Sequence, residues 1–417
     1  MIVLVSFFLP WIALFALKYR VGYIHAIFLF LTFQCVAVYN VGQDFGVNRP
    51  FFIFLSGNFA VLAGLWLGKI FFGKNSPVLP YRKLERKEKK KVSFFIFFVF
   101  SMVVYHYLVG GVPLLSENVV LDRFDNDSSG LFGLPGRVNL FGTFFCFVLA
   151  GMSYFYSRGE IARRQFYFAT LILFFSLVLA GNKGNVVQFV VAIMLVLPYA
   201  YKNRKYLGVR KKIKIRHIAL SGILAIAFFF VVSAVHMKAG DTTYSGVFEA
   251  LERRVIEVSG KAFYVTATSV LDLEGIGYGS YFLNDISFFL GSILGDGFSQ
   301  HSTINLVSSY VTGRDLDSGL FLVPVTITVH GYSLLEFGVW GPAFIGVILG
   351  VFMSWLYFFP YKSVNVTNSA MILYIQVMVF WVVTKGSVGY YVPNMLIMLL
   401  FFYIILCLYN IFSRARY

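Results

Sequence analysis

The sequence predicts an all-α protein, a polytopic integral membrane bundle of about eleven transmembrane helices, and three observations carry this prediction. Of its 417 residues, 59% are hydrophobic and only 13% are charged, whereas soluble domains carry roughly a quarter charged residues. Apolar runs of about twenty residues, the length needed to cross a bilayer core, recur along the chain. Basic residues cluster in short segments between these runs, as the loops on one side of a membrane require.

The apolar runs give the positions of the spans. We place them at residues 2–17, 22–41, 51–72, 93–109, 138–157, 166–181, 185–201, 217–235, 338–360, 369–385 and 389–411. The first run has no basic stretch before it and no small-residue cleavage pattern after it, so we expect a retained helix rather than a signal peptide. The three cysteines lie inside apolar runs without metal-ligand spacing, and we expect them to be lipid-facing or packing residues.

The basic clusters give the orientation. When the spans alternate in direction, all of these clusters fall on one side; they lie at 18–20, 74–91, 158–164, 202–216, 362 and 414–416. Because basic loops mark the cytoplasmic side, we expect the N-terminus outside and the C-terminus in the cytoplasm. The net charge of +16 then records topology, and we expect no nucleic acid as a partner.

Two of the external loops are long, at residues 110–137 and 236–337. The second contains apolar pieces shorter than a span, at 281–294 and 320–329, which predict re-entrant or interfacial helices. Irregular backbone at membrane depth is tolerated only where protein or a water-filled cavity satisfies it. We therefore expect residues 1–417 to form a single transmembrane domain with a cavity beneath its second loop.

The external side lacks the usual catalytic motifs and is instead cationic. No His-Glu-x-x-His, Gly-x-Ser-x-Gly or P-loop motif occurs, so hydrolase and ATPase interpretations lack their signatures, and no inverted repeat favours a transporter. The external basic residues are Arg49, Arg123, Arg137, Lys183, Lys238, Arg253, Arg254, Lys261, Arg314 and Lys385. Several arginine forks converging on one cavity would hold a diphosphate without a metal. A diphosphate at the external membrane surface suggests a lipid carrier, and we expect no cofactor.

The first long loop carries two arginines among turn-forming residues. The segment 110–116, Gly-Gly-Val-Pro-Leu-Leu-Ser, is followed by Arg123, and a glycine-rich stretch at 130–136 ends in Arg137. Glycine and proline allow tight turns near the headgroup plane. Arg123 and Arg137 are therefore candidate ligands of the diphosphate. The alternative is that Arg123 pairs locally with three neighbouring aspartates.

In the second loop, residues 246–262 predict an amphipathic helix, because their apolar side chains recur at helical spacing. Arg253 follows Glu249 by four residues, and an exposed ion pair explains Arg253 without a function. Arg254 borders the apolar face, with Lys261 two turns further along the same edge. We expect Arg254 and Lys261 to point together at a ligand on the bilayer surface. Neutralisation by a nearby glutamate is the alternative.

Residues 326–341 hold the third candidate group. His330 is followed by Gly-Tyr, and Glu336 opens the sequence Glu-Phe-Gly-Val-Trp-Gly at the start of a long apolar run. A histidine at the membrane edge can take a proton near neutral pH, although a lone histidine is more often a packing residue. An ionisable residue at the mouth of a transmembrane helix is costly without a use. His330 and Glu336 are therefore candidate general bases, and Arg314 is a further candidate diphosphate ligand.

These features resemble the O-antigen and oligosaccharide repeat-unit polymerases of the Wzy type and, more remotely, the lipopolysaccharide O-antigen ligases. The resemblance rests on Gly-Gly-Val-Pro-Leu-Leu-Ser with Arg123, the Gly-Asn-Lys-Gly turn at 181–184, and His330 followed by Glu-x-Gly-x-x-Gly at 336–341. Lys183 stands where many relatives carry arginine, which keeps the charge and loses the bidentate fork. The residue after the histidine is glycine where the ligases place Asn, Gln or Ser, which weakens a ligase assignment.

The resemblance implies a GT-C-like glycosyltransferase in the bacterial inner (cytoplasmic) membrane, with its active site facing the periplasm. It would polymerise undecaprenyl-diphosphate-linked oligosaccharide units into O-antigen or a related surface polysaccharide, a step of lipopolysaccharide biosynthesis. The expected partners are the lipid-linked oligosaccharide, the bilayer and a chain-length regulator protein. The alternatives are an O-antigen ligase and a lipid-linked oligosaccharide flippase or other transporter.

The implied reaction is a metal-independent, inverting displacement. A sugar hydroxyl attacks the anomeric carbon of the lipid-linked chain and displaces undecaprenyl diphosphate. The expected catalytic residues are Arg254, which stabilises the departing charge, and His330 or Glu336 as general base. The expected ligands of the diphosphate are Arg123, Arg137, Lys261 and Arg314.

Overall fold

A computed structural model describes most of the chain. The described residues are 2–19, 23–42, 49–73, 86–116, 133–157, 159–180, 189, 192–193, 259–273, 277–294, 298, 301–313, 327–359, 366–386 and 388–414. No strand occurs among them. The helices are α1 (Ile2–Ala16), α2 (Tyr23–Gly42), α3 (Arg49–Phe72), α4 (Arg86–Gly110), α5 (Leu134–Arg137), α6 (Thr143–Ser157), α7 (Glu160–Leu179), α8 (Ser259–Leu273), α9 (Ser280–Leu294), α10 (Thr303–Thr312), α11 (Thr328–Phe337), α12 (Gly341–Phe358), α13 (Val366–Lys385) and α14 (Val388–Arg414).

Within the described residues, eight helical segments are long and apolar enough to cross a membrane. They are Ile24–Gly42, Arg49–Phe72, Lys87–Leu115, Leu134–Tyr154, Glu160–Leu179, Thr328–Phe358, Val366–Lys385 and Val388–Ile411. The predicted class of helical membrane protein is confirmed. Helix α1 covers the first predicted span with 15 residues, and the spans predicted at 185–201 and 217–235 fall almost wholly outside the described residues.

Several helices begin earlier than their apolar runs. Helix α4 begins at Arg86 where the run predicted 93, and α7 begins at Glu160 where the run predicted 166. The largest difference is at the span predicted from 338, because the helical segment starts at Thr328. Hydropathy misses polar helical turns, although such turns fold readily when tertiary contacts satisfy their side chains. Residues 328–337 are therefore helical and lie within a candidate span.

The chain forms two compact units. The first unit contains Met1–Ser76, Phe248–Phe359 and Met378–Asn394, and the second contains Pro77–Val247, Pro360–Val377 and Met395–Tyr417. Each unit combines sequence-distant helices, so neither is a contiguous stretch of chain.

The first unit is built on the close pairing of α3 and α12. Small residues make it possible: a side chain added at Gly64 would overlap the backbone of Val347, and one at Gly350 would overlap the backbone of Val61. A side chain added at Gly68 would overlap the Ser354 side chain. Small residues let transmembrane helices approach until their backbones touch, which maximises van der Waals contact.

At one end of this pair, α3 and α12 are tied to the residues that follow α1. The Tyr19 hydroxyl donates to the Leu65 carbonyl at 2.8 Å and lies 2.7 Å from Ser354 Oγ, while Lys69 Nζ donates to the Leu17 carbonyl at 2.7 Å. The predicted orientation assigns all of these residues to cytoplasmic helix ends. Three of the helix ends that the basic clusters group on one side, those of α1, α3 and α12, therefore lie together in the first unit.

The second unit has an aromatic core. The ring centroids of Phe95, Phe145 and Phe402 lie 5.3 to 5.5 Å apart, and Tyr374 lies 5.5 Å from Phe145. Edge-to-face and stacked pairs at such distances add to the free energy gained from burial.

Candidate functional site

The segment from α11 to α12 is a broken helix. The break falls at Gly338, whose φ of 61° and ψ of −154° lie in a region that essentially only glycine adopts. Gly341 then packs so closely on the Ser333 carbonyl that a side chain there would overlap it. Between the two glycines, Trp340 is 82% exposed. The Glu-Phe-Gly-Val-Trp-Gly sequence thus specifies a backbone break and a tight return.

Glu336 is the last buried residue before the break, and its side chain binds the N-terminal end of helix α9. Its side chain is 2% exposed; Oε2 accepts a hydrogen bond from the Gly279 N–H at 2.6 Å, and Oε1 accepts one from the Phe282 N–H. Since α9 begins at Ser280, these are donors of its first turn, which have no partner inside a helix. The Glu336 carboxylate therefore caps α9 from a distant part of the chain and complements its dipole.

A second buried carboxylate, on Asp285 of α9, caps the N-terminus of α10. Asp285 has no solvent exposure, and its Oδ1 accepts a hydrogen bond from the Thr303 N–H at 2.7 Å. The Ser302 hydroxyl caps the same helix by accepting from the Asn305 N–H at 3.3 Å. Sequence reasoning missed Asp285, although an aspartate inside the apolar run 281–294 was an available signal.

The two carboxylates belong to one buried polar cluster. The hydroxyl of Tyr332, which lies one helical turn before Glu336, interacts electrostatically with both Asp285 and Glu336. On α9, burial raises the pKa of the Tyr281 hydroxyl, and the charges of Tyr310 and Glu336 add to this shift. We call Asp285, Tyr332 and Glu336 the acidic cluster. Its carboxylates fix two helices, α9 and α10, that are too short to cross a bilayer.

His330 lies on the same broken helix but inside its packing. The side chain has no solvent exposure, and its ring makes an edge-to-face contact with Phe54, with centroids 5.0 Å apart. Nε2 lies 3.2 Å from Asn58 Oδ1. Because the Asn58 amide nitrogen points to the Leu31 carbonyl, its oxygen faces the histidine, so Nε2–H donates. Gly57 leaves the room for the ring, since a side chain there would collide with it.

Both His330 and Glu336 make contacts that hold helices together. The His330 ring is buried where α11 packs on α3. The Glu336 carboxylate accepts hydrogen bonds from two backbone N–H groups. A general base needs to reach the proton that it removes, and neither side chain is open to solvent in this arrangement. Their role as general base stays a prediction.

The predicted diphosphate ligands are only partly described. Arg123, Arg254 and Arg314 lie outside the described residues. Arg137 ends α5 in the second unit and is half-buried, whereas Lys261 is an exposed residue of α8 in the first unit. The predicted convergence of these five side chains stays a prediction.

The predicted amphipathic helix is described only at its end. Residues 246–258, with Arg253 and Arg254, lie outside the described residues. Helix α8 begins at Ser259 and continues to Leu273, beyond the end at 262 that the sequence predicted. It packs on α2, where a side chain at Gly260 would meet the backbone of Ala37. Among the described residues, no group of three or more His, Cys, Asp or Glu side chains could hold a metal ion.

The second unit has a polar network of its own, at a π-helical turn. The turn spans Val138–Gly142 and directly follows Arg137. Within it, Asn139 Oδ1 accepts from the Ser176 hydroxyl at 2.6 Å, and Asn139 Nδ2 donates to the Tyr107 hydroxyl at 3.1 Å. Such turns recur at functional sites. Here the turn places the uncharged network of Asn139, Ser176 and Tyr107 next in sequence to Arg137, a predicted ligand of the diphosphate.

Comparison of the chain with protein-family models, with curated proteins and with solved structures gave no match.

Proposed function

We propose that the chain is a membrane-embedded glycosyltransferase that polymerises undecaprenyl-diphosphate-linked repeat units on the periplasmic face of the inner membrane. The proposal starts from the sequence resemblance. The acidic cluster is the structural observation that supports it most directly. The cluster fixes the short helices α9 and α10 to each other and to the broken helix α11–α12. By the predicted orientation, this part of the first unit faces the periplasm.

This arrangement suits a reaction at the membrane surface. A lipid-linked substrate keeps its tail in the bilayer and its diphosphate at headgroup level, so an enzyme must hold structured backbone at that depth. Non-spanning helices can do so when protein satisfies their exposed backbone groups. Glu336 and Asp285 supply that satisfaction for the first turns of α9 and α10.

The proposed step is a direct displacement. A hydroxyl of the incoming unit forms a bond to the anomeric carbon of the growing chain as the bond to undecaprenyl diphosphate breaks. The hydroxyl proton passes to a general base, for which His330 and Glu336 are the sequence candidates. Arg254 stabilises the charge on the departing diphosphate, with Arg123, Arg137, Lys261 and Arg314 as its ligands.

Deletion of the gene tests the proposal. Units would still be made, flipped and ligated but not joined, so lipid A core should carry at most one repeat. The polysaccharide ladder on a gel measures this, and restoration of the gene on a plasmid is the control. Loss of every repeat, including the first, would instead indicate the ligase or flippase alternative.

A further inference from the structure

Large exposed side chains surround the break between α11 and α12. Trp340 lies in the break and Tyr278 lies just before α9, and both are at least 80% exposed. Phe337, at the end of α11, and Leu283, in the first turn of α9, are exposed as well. We call these four residues the exposed patch. A group of large apolar side chains on a surface marks a contact with another protein or with a membrane.

Backbone hydrogen bonds join the two segments that carry the exposed patch. The N–H groups of Gly277 and Tyr278 donate to the carbonyls of Leu335 and Glu336, each at 2.9 Å. Carbonyls in the last turn of a helix have no partner inside that helix. The residues before α9 therefore cap the end of α11, while the Glu336 carboxylate caps the start of α9. This reciprocal capping fixes the two segments to each other.

The backbone at Tyr278 is strained. Its φ is 48°, a conformation that a bulky residue rarely adopts. Its own N–H and that of Gly279 both donate to Glu336, so the caps hold it there. Glycine would occupy such a position without strain, and glycines flank this tyrosine on both sides. A strained tyrosine that is also exposed indicates that its ring has a use outside the protein.

The exposed patch continues into an apolar stripe on α12. Phe344, Ile348 and Phe352 are exposed at a spacing of four residues, and Trp340 stands one turn before the first of them. The ring centroids of Phe337 and Phe344 lie 6.1 Å apart. Helix α12 belongs to a candidate span, and its 18 residues extend about 27 Å, close to the roughly 30 Å of a hydrocarbon core. The patch therefore lies where a lipid-facing surface ends.

We infer that the exposed patch anchors the protein at the boundary between the headgroups and the acyl chains, and that it holds the start of α9 at that level. Trp and Tyr favour this boundary, because the ring enters the apolar side while the N–H or O–H reaches water. Trp340 and Tyr278 supply these groups, and Leu283 and Phe337 supply apolar area. The acidic cluster joins α9 to α11, so the anchor also sets the depth of that cluster.

The bilayer boundary fits the exposed patch better than a second copy of the chain does. A protein partner would need no particular position along α12, whereas the patch begins where the lipid-facing stripe stops. The two most exposed members, Trp340 and Tyr278, are also the two with a polar group on the ring. The inference goes beyond the proposed function and does not depend on it, because a polymerase, a ligase or a transporter would sit in the bilayer in the same way.

Depth-dependent quenching in lipid vesicles tests the inference. The full chain with Cys407→Ser, which leaves only the two buried cysteines, receives one further change, Trp340→Cys, Leu283→Cys or Ile348→Cys, and an environment-sensitive fluorophore is attached there. The vesicles contain phosphatidylcholine that is spin-labelled either on the headgroup or near the end of the acyl chains. Labels at positions 340 and 283 should lose most fluorescence to the headgroup quencher. The label at position 348 is the matched control; it lies about 12 Å deeper along the same helix and should lose most to the acyl-chain quencher.

Four results would overturn the inference. Stronger quenching of position 340 by the acyl-chain lipid would make it an ordinary position inside the core, and no quenching by either lipid would place it in water or against protein. Recovery of its fluorescence on dilution with unlabelled chain would show that a second copy covers the patch. Headgroup quenching at position 340 but not at 283 would show that the patch does not hold α9. Should Trp340→Cys elute as an aggregate, the comparison of positions 283 and 348 gives the same test.

Discussion

Each unit contains a buried polar network, and the two networks differ in charge. In the first unit, Glu336 and Asp285 are carboxylates that cap the first turns of helices. In the second, Asn139, Ser176 and Tyr107 are neutral and join the side chains of spanning helices. Both lie at helix ends predicted to be periplasmic.

The difference shows what each network has to do. Spanning helices satisfy their own backbone, so a neutral network between them adds specificity at modest cost. Short helices at membrane depth expose N–H groups that nothing in lipid can satisfy. A buried carboxylate accepts several such donors at once, and the charge strengthens each bond. The first unit should therefore depend on its network more than the second does.

The largest effect is expected for Glu336→Ala. The change leaves two backbone donors of α9 without an acceptor, and at about 1.5 kcal/mol or more each the loss is roughly 3 kcal/mol. Glu336→Gln should recover part of it, since an amide oxygen still accepts one bond. The measurement is the midpoint of thermal aggregation of detergent-solubilised protein, followed by size-exclusion chromatography.

Glu160→Gln is the matched control for that change. Glu160 is an exposed glutamate whose 2.7 Å ion pair with Arg164 joins neighbouring turns of one helix. Exposed pairs of this kind contribute about 0.3 to 0.5 kcal/mol, so the midpoint should hardly move. Equal midpoints for Glu336→Ala and Glu160→Gln would show that the α9 cap is not a significant support.

Asp285→Ala should have the next largest effect. It removes one acceptor from the first turn of α10, and the loss is expected at about 2 kcal/mol. Asp285→Asn keeps the oxygen and should restore most of the stability. If the asparagine variant were as unstable as alanine, the Asp285 charge rather than the cap would be the important contribution.

Asn139→Ala should have the smallest effect of the three. Two neutral hydrogen bonds are lost, but the Tyr107 and Ser176 hydroxyls still have the backbone carbonyls of Ser176 and Asn139 as acceptors, so about 1 kcal/mol is expected. The same thermal assay measures it. A midpoint as low as that of Glu336→Ala would contradict the proposed contrast between the charged and the neutral network.

The candidate site was only partly accessible to sequence reasoning. The Glu-Phe-Gly-Val-Trp-Gly sequence was correctly singled out at Glu336, but its glycines specify a break and a close contact, and the carboxylate caps a helix more than fifty residues earlier in the chain. Asp285 acquires its partner from the first turn of α10, which no local pattern reveals. The apolar run predicted from 338 matches α12, which begins at Gly341, and hydropathy missed the more polar α11 before the break.

The sequence by itself determined the membrane class and the approximate position of most spans, because each depends on local composition and on the cost of moving charge into lipid. Tertiary structure alone decided which groups His330, Glu336 and Asp285 contact. Whether a buried polar group is a cap, a packing residue or a ligand depends on which donors and acceptors surround it. Those partners come from distant segments, such as Asn58 for His330 and Gly279 for Glu336.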